Sequence, residues 1–235
     1  MVDIYIYSTM PLYDVLPHQL VHLAHQFTFE LYTVRNKVLH MLGDTNLHVW
    51  LGRTNEEYEK LANKLYPKFP IGDIRIMDLG GGSGAMLYAL KPSLDTRPDS
   101  WEYLGTDVIE NALQLGRDVF KQPNISFELS NIVTDTLPPG YNVILCFGVL
   151  LMLEDSHLIG FEKLIDAMPV GGFAHIGGIV PHESTYKFGK PVDVSLYEDV
   201  LKSKPGYTYE CVNENEYFGL DSYDPYTKSL FIWRK

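Results

Sequence analysis

The sequence predicts an open, mostly parallel α/β sheet built around one strand–turn–helix unit. Three observations carry that prediction. Ile74 to Leu90 reads as a buried strand, a glycine hinge and a helix. A second strand-like run, Trp101 to Asp107, lies at the distance of a strand–helix–strand unit and ends in an acid. The chain closes on two runs rich in β-branched and aromatic residues, Tyr207 to Glu214 and Thr227 to Trp233, joined through the turn-rich Gly219 to Tyr226. These two read as an antiparallel pair.

The hinge comes first. Ile74, Ile76 and Leu79 are strand formers, and Ala85, Met86, Leu87, Ala89 and Leu90 continue as a helix. Between them Gly80, Gly81, Gly82 and Gly84 accept positive φ and let a ligand approach bare backbone. The helix N-terminus beyond presents free N–H groups and a partial positive charge. Such a cradle at a strand end suits a nucleotide. Asp78 narrows the choice of nucleotide. A carboxylate there sits badly beside a pyrophosphate and well beside a cation, such as a sulfonium with an ammonium group. Gly80-x-Gly82-x-x-Ala85 also fits the dinucleotide fingerprint, so both tenants stay open on these residues alone.

Asp78-Leu79-Gly80-Gly81-Gly82-Ser83-Gly84 resembles the first motif of class I S-adenosylmethionine-dependent methyltransferases, an acid followed by x-Gly-x-Gly-x-Gly. The resemblance runs from Ile71 to the C-terminus. It implies a Rossmann-like fold: a mostly parallel seven-stranded sheet with an antiparallel last strand, plus an N-terminal helical cap. It divides the chain into a cap or lid segment, residues 1–70, and an S-adenosylmethionine-binding core, residues 71–235. Within the core, residues 182–206 would form a loop and helix inserted over the active site.

Composition bounds the rest. The chain has 235 residues, 46% hydrophobic and 21% charged, which suits a well-cored globular protein of one domain with an appendage, or of two small ones. A formal net charge of −11 argues against a phosphate-tracking surface and so against nucleic acid as partner. Cys146 and Cys211 lie far apart in apolar or alternating runs and read as reduced thiols of a cytoplasmic protein. No basic leader precedes an apolar stretch, and no apolar run reaches membrane-spanning length. The oligomeric state is open, and a homodimer is compatible with the sequence.

In the N-terminal segment, His18 to Leu42 carries apolar residues at mixed helical spacing and ends at Gly43. Thr54-Asn55-Glu56-Glu57 reads as a capping box opening a helix with Tyr58, Leu61, Ala62 and Leu65 on one face. Pro67 and Pro70 stop it. His18, His22 and His25 share a helix face but lack a carboxylate at matching spacing, so they read as a polar face and no metal is expected. The resemblance implies that this aromatic-rich segment caps an acceptor pocket, with Tyr32 and His40 as acceptor-contacting residues.

Along the core, Lys91 to Ser100 reads as a polar turn broken by Pro92 and Pro98. Asp107 suits two hydrogen bonds from ribose hydroxyls, or the cap of a helix from Ile109 to Val119. Ile125 to Leu129 is the third strand. In the family the following turn often carries an Asp that contacts the adenine amino group. Here Asn131 stands there, with an amide oxygen that accepts the same bond, or that closes an Asx turn. Tyr141 to Gly148 is the next strand, begun by Asn142 where the family commonly has Asp. The resemblance adds Val108, Ile132 and Phe147 to the cofactor contacts, Phe147 at the rim near the sulfonium.

The apolar run Phe147 to Leu153 lacks the Asn/Asp-Pro-Pro-aromatic signature of amino-directed DNA methyltransferases. It also lacks the Pro-Cys nucleophile of cytosine-C5 enzymes and the paired glutamates of protein arginine methyltransferases. This looks like the small-molecule branch. Asp155 reads as the cap of a helix running to Met168, and Pro169-Val170-Gly171-Gly172 leads into a fifth strand, Phe173 to Ile179, in a phrase resembling the family. His175 on that strand reads as a core histidine. Val180 to Tyr207 is a longer excursion with a short helix near Ser195 to Leu201. Its His182 is the candidate general base and Tyr186 a candidate acceptor contact, since loops at the carboxyl end of an open sheet hold ligands. The expected activity is methyl transfer to an O or N atom of a small, apolar or aromatic molecule. Three rivals stay open: an NAD(P)-dependent oxidoreductase, an RNA or protein methyltransferase, and a non-catalytic cofactor-binding module.

Overall fold

The structure is a computed structural model that describes residues 55–181, 191–220 and 226–235. Its centre is a seven-stranded sheet. The strands are β1 (Ile74–Leu79), β2 (Trp101–Asp107), β3 (Ile125–Leu129), β4 (Val143–Phe147), β5 (Phe173–Ile179), β6 (Tyr207–Asn213) and β7 (Lys228–Arg234). Their order is β3-β2-β1-β4-β5-β7-β6. The first five are mutually parallel, and β7 lies antiparallel between β5 and β6. Placing β7 there reverses the sheet near one end, as the terminal strand pair predicts.

Helices cover both faces. One layer holds α1 (Asn55–Leu65), α2 (Ala85–Leu94) and α3 (Glu110–Val119). Leu61 and Leu65 of α1 pack with Leu87, Leu90 and Leu94 of α2, Leu113 of α3 and the sheet residues Ile74, Ile76 and Tyr103. Residues 55–65 therefore belong to the core of the sheet. The opposite layer holds α4 (His157–Ala167) and α5 (Val194–Ser203). There Phe161, Leu164 and Ile165 meet Ile144, Ile176 and Tyr197. A short helix, α6 (Glu214–Phe218), links β6 to the final stretch. The expected capping residue Thr54 lies outside the described residues.

Two local readings are corrected. Pro92 does not break the chain: α2 runs through it to Leu94. It lies in the last turn of the helix, where a missing N–H costs at most one helical bond, and burial of Leu90 and Leu94 holds the turn. Ser156, not Asp155, stands at the N-cap of α4. Residues 150–152 and 154–156 wind as two tight 3₁₀ turns, because Leu150 and Leu151 are drawn into the core, and the helix starts only at His157 behind Ser156.

Asn142, which stands where the resemblance leads one to expect Asp, has a structural use. Its amide oxygen accepts the Arg75 N–H at 2.8 Å and its amide nitrogen donates to the Asp73 carbonyl at 2.9 Å. An aspartate could accept but not donate, so only the amide stitches β4 to the start of β1 from both sides. His175 is fully buried among aromatic rings, with centroids 4.6 Å from Phe147 and 5.0 Å from Phe231, as expected of a core histidine. Lys68, in the 3₁₀ turn after α1, places its ammonium 4.5 Å over the Phe231 ring and so ties that turn to β7.

Candidate functional site

The carboxyl ends of β1, β2, β3 and β4 converge on the glycine turn. β1 delivers Asp78 and Leu79 buried, and the chain then turns through Gly80 (φ 69°), Gly82 (φ 54°) and Gly84 (φ 85°) into α2. The turn hangs from β2. The Gly81 N–H donates to the Thr106 carbonyl at 2.9 Å, and the Gly82 N–H donates to Asp107 Oδ2 at 3.0 Å. The other Asp107 oxygen accepts the Ile109 N–H at 3.0 Å. Asp107 thus braces the entry to α3 and the glycine turn at once, while the helix N-cap that the sequence offered as its alternative role falls to Ile109. Each oxygen of an ionised carboxylate has two lone pairs, so capacity remains for hydroxyl donors.

Space in the turn is close. A Cβ on Gly80 would stand 2.2 Å from Val149 Cγ2, and one on Gly81 would stand 2.8 Å from Asp78 Cγ. The first contact shows that the loop after β4 borders the cradle. The second puts the Asp78 carboxylate directly against the turn's backbone. Asp78 is 2% exposed, and its Oδ2 accepts the Tyr103 hydroxyl hydrogen at 2.8 Å. Burial pushes its carboxyl up to about 7, and the nearby Asp107 charge pushes the same way, while the Tyr103 hydrogen bond pulls it down. Burial also raises Asp107, against the pull of its backbone N–H partners. Two crowded carboxylates that resist ionisation make a site hungry for positive charge.

At the β3 tip, the Ser130 N–H donates to the Asp107 carbonyl at 3.0 Å, which brings Asn131 and Ile132 beside Asp107. Asn131 Oδ1 accepts the Val133 N–H at 2.9 Å, and the Asn131 N–H donates to Asp135 Oδ2 at 2.9 Å. This is an Asx turn with one amide-oxygen lone pair to spare. Ile132 is buried in the core and Val108 is 63% exposed at the β2 tip. Phe147 ends β4 in register with Gly177 of β5, half-buried beside His175. The structure therefore gathers Asp78, the four glycines, Asp107, Val108, Asn131, Ile132 and Phe147 along neighbouring strand ends. His182, Tyr186, Tyr32 and His40, together with His18, His22 and His25, lie outside the described residues. Among the described residues, no three His, Cys, Asp or Glu side chains are grouped to hold a metal ion, and no helix is long and apolar enough to cross a membrane.

Three residues of this region are not singled out by the sequence. Tyr103 and Val149 read there as ordinary apolar positions. Glu214 is fully buried, and its Oε2 accepts the Gly178 N–H at 2.7 Å and the Ser229 hydroxyl hydrogen at 3.0 Å. The pairing of β5 with β7 slips between Ile176 and Ile179, which takes Gly178 (φ 72°) out of the ladder, and the carboxylate accepts its amide instead. The sequence reads Glu214 as the end of the strand run, whereas it opens α6, and no local signal marks it as buried.

No family model and no curated protein sequence matches the chain. Solved structures do. The chain is similar to a TehB-like S-adenosylmethionine-dependent methyltransferase from Corynebacterium glutamicum, at 18% identity and TM-score 0.57, over 87% of this chain and 96% of that one. It is similar to the N-methyltransferase NodS from Bradyrhizobium japonicum, solved with S-adenosyl-L-homocysteine, at 16% identity and TM-score 0.55, over 77% of this chain and 85% of that one. It is similar to the S-adenosylmethionine-dependent methyltransferase SibL at 16% identity and TM-score 0.56, where 74% of this chain spans 54% of SibL. Identities this low speak to architecture. With its strand order and its glycine turn at the carboxyl end of β1, the chain has the class I methyltransferase fold.

Proposed function

We propose that the protein is an S-adenosylmethionine-dependent methyltransferase acting on an O or N atom of a small, apolar or aromatic molecule. One observation carries the reading: a glycine turn with no space for a side chain at Gly80 or Gly81, set between the buried Asp78 carboxylate and the half-buried Asp107. A pyrophosphate placed on that turn would bring its negative charges against Asp78, whereas an aminoacyl sulfonium would bring positive ones. This disfavours the nicotinamide alternative.

The residues present fit that cofactor. Gly80 and Gly82 would present bare backbone to it, Asp78 would face the cationic methionyl end, Asp107 would accept from ribose, and Asn131, with Val108 and Ile132, would flank the adenine. Phe147 and Val149 would border the methyl-bearing side. When bound, the cofactor supplies an activated methyl group together with its own leaving group. The chain's task is then to align an acceptor and exclude water. His182 would take the acceptor's proton where a hydroxyl must be activated, and Tyr32, His40 and Tyr186 would line the acceptor. The acidic charge of −11 favours a small molecule over a nucleic acid, and the free thiols suit the cytoplasm.

Titration calorimetry tests the first half. S-adenosylhomocysteine should bind with micromolar affinity and NADH should not; the reverse result removes the proposal. A methyl-release assay against pools of phenols, amines, tRNA and peptides tests the second half, with turnover expected only in the small-molecule pools.

A further inference from the structure

The Asp78 carboxylate does not reach its position unaided. In the parallel register of β1 and β2, Asp78 stands opposite Gly105, and Ile76 stands opposite Tyr103. Tyr103 therefore lies one pleat earlier on the same face as Asp78. Its ring would normally be walled off by a side chain at position 105. Gly105 removes that wall: a Cβ there would stand 3.1 Å from Tyr103 Cε1 and 2.7 Å from Phe127 Cδ1. The fully buried ring passes over the bare glycine, and its hydroxyl donates to Asp78 Oδ2 at 2.8 Å. On the far side, the same carboxylate meets the Gly81 backbone, where a Cβ would be 2.9 Å from Oδ2. A phenol, a missing side chain and a carboxylate are thus stacked behind the cofactor turn.

Resting on the cofactor reading above, we propose that Tyr103 is a positioning residue of this site: its hydroxyl fixes the Asp78 carboxylate against the glycine turn and steadies the negative charge that meets the cationic end of the cofactor. The groups facing Asp78 agree with this role. Asp107, across the turn, opposes that charge, and Asp78 in turn disfavours thiolate formation at Cys146 on β4. Tyr103 alone of these supplies a proton to the carboxylate, and Tyr58 of α1 adds a further unfavourable interaction were Tyr103 to ionise. The phenol is thereby held as a donor. Removing it leaves the carboxylate equally buried but easier to protonate.

The test is calorimetric binding of S-adenosylhomocysteine from pH 5.5 to 9 by the wild type, Tyr103→Phe and Asp78→Asn. In the wild type, affinity should fall as pH drops through neutrality. In Tyr103→Phe the whole fall should move about one to two pH units higher, the span of a hydrogen bond to a charged group. The variant would then be about tenfold weaker at pH 7 and approach the wild type at pH 9. A purely structural tyrosine would weaken binding equally at every pH or not at all, and either result overturns the inference. Should Tyr103→Phe fail to fold, Asp78→Asn decides. It should flatten the pH profile, and a wild-type profile in that variant refutes the role of the charge. No binding by the wild type at any pH would instead fell the cofactor reading, and this inference with it.

Discussion

Asp78→Asn should make the cofactor-free protein more stable while weakening its grip on cofactor. The reasoning begins with the burial of a carboxylate that ionises freely in the unfolded chain. Its folded-state value, about 7, lies above the ordinary 3.8, so the folded protein holds this proton more tightly than the unfolded one. The sign follows directly. Stability linked to this group is fully present below about pH 3.8 and is lost as pH rises through 7. Over that interval the loss amounts to about 4 kcal/mol. An asparagine of the same shape carries no such penalty, and its oxygen still accepts the Tyr103 hydroxyl hydrogen. The variant should therefore exceed the wild type by about 2–4 kcal/mol at pH 8.5, or roughly 5–15 °C in Tm for a domain of this size. At pH 5 the gap should shrink to about 1–2 kcal/mol. Urea unfolding of both proteins at the two pH values measures it. A variant less stable than the wild type at pH 8.5, or a gap identical at both pH values, would refute the account. The same substitution should cost S-adenosylhomocysteine affinity about tenfold or more at pH 8.5, since a hydrogen bond or ion pair to a charged group in such a site contributes about 1.5–3 kcal/mol.

Other perturbations probe the turn and its supports. Gly80→Ala drives a methyl group into Val149 at a backbone φ of 69°, so it should destabilise by about 2–3 kcal/mol and abolish cofactor binding in calorimetry. Adding Val149→Ala should relieve the clash but not the backbone strain, restoring only about half the stability; full recovery would show that φ is irrelevant there. Glu214→Ala leaves the buried Ser229 hydroxyl and the partly buried Gly178 amide without their acceptor and should lower stability by about 2–3 kcal/mol. Glu214→Gln keeps an acceptor and should lose markedly less, as thermal unfolding would show.

The class of fold and the place of the cradle were legible because both are local. The sign of φ at Gly80, Gly82 and Gly84 depends on the absence of a Cβ, and the alternation of β1 into α2 is written in consecutive residues. The acid at Asp107 announced itself by ending a strand, and the closing strand pair by its turn-rich joint. Pro92 and Asp155 misled for the complementary reason. Each obeys a sound local rule that burial of nearby leucines overrides.

What only the tertiary structure decided are the contacts whose partners lie far apart in the chain. Tyr103 reaches Asp78 because parallel pairing sets Gly105 opposite it. Val149 touches Gly80 because β4 lies next to β1, and Glu214 serves Gly178 because β7 is inserted between β5 and β6. Strand order and register are set by the packing of two apolar faces against helices, a property of the whole sheet that no single stretch encodes. So the sequence alone determined that Asp78 and its glycines form a cradle. The assembled sheet determined that the carboxylate would be buried, reluctant to ionise and held by a tyrosine, because desolvation exists only once the neighbouring strands have closed around it.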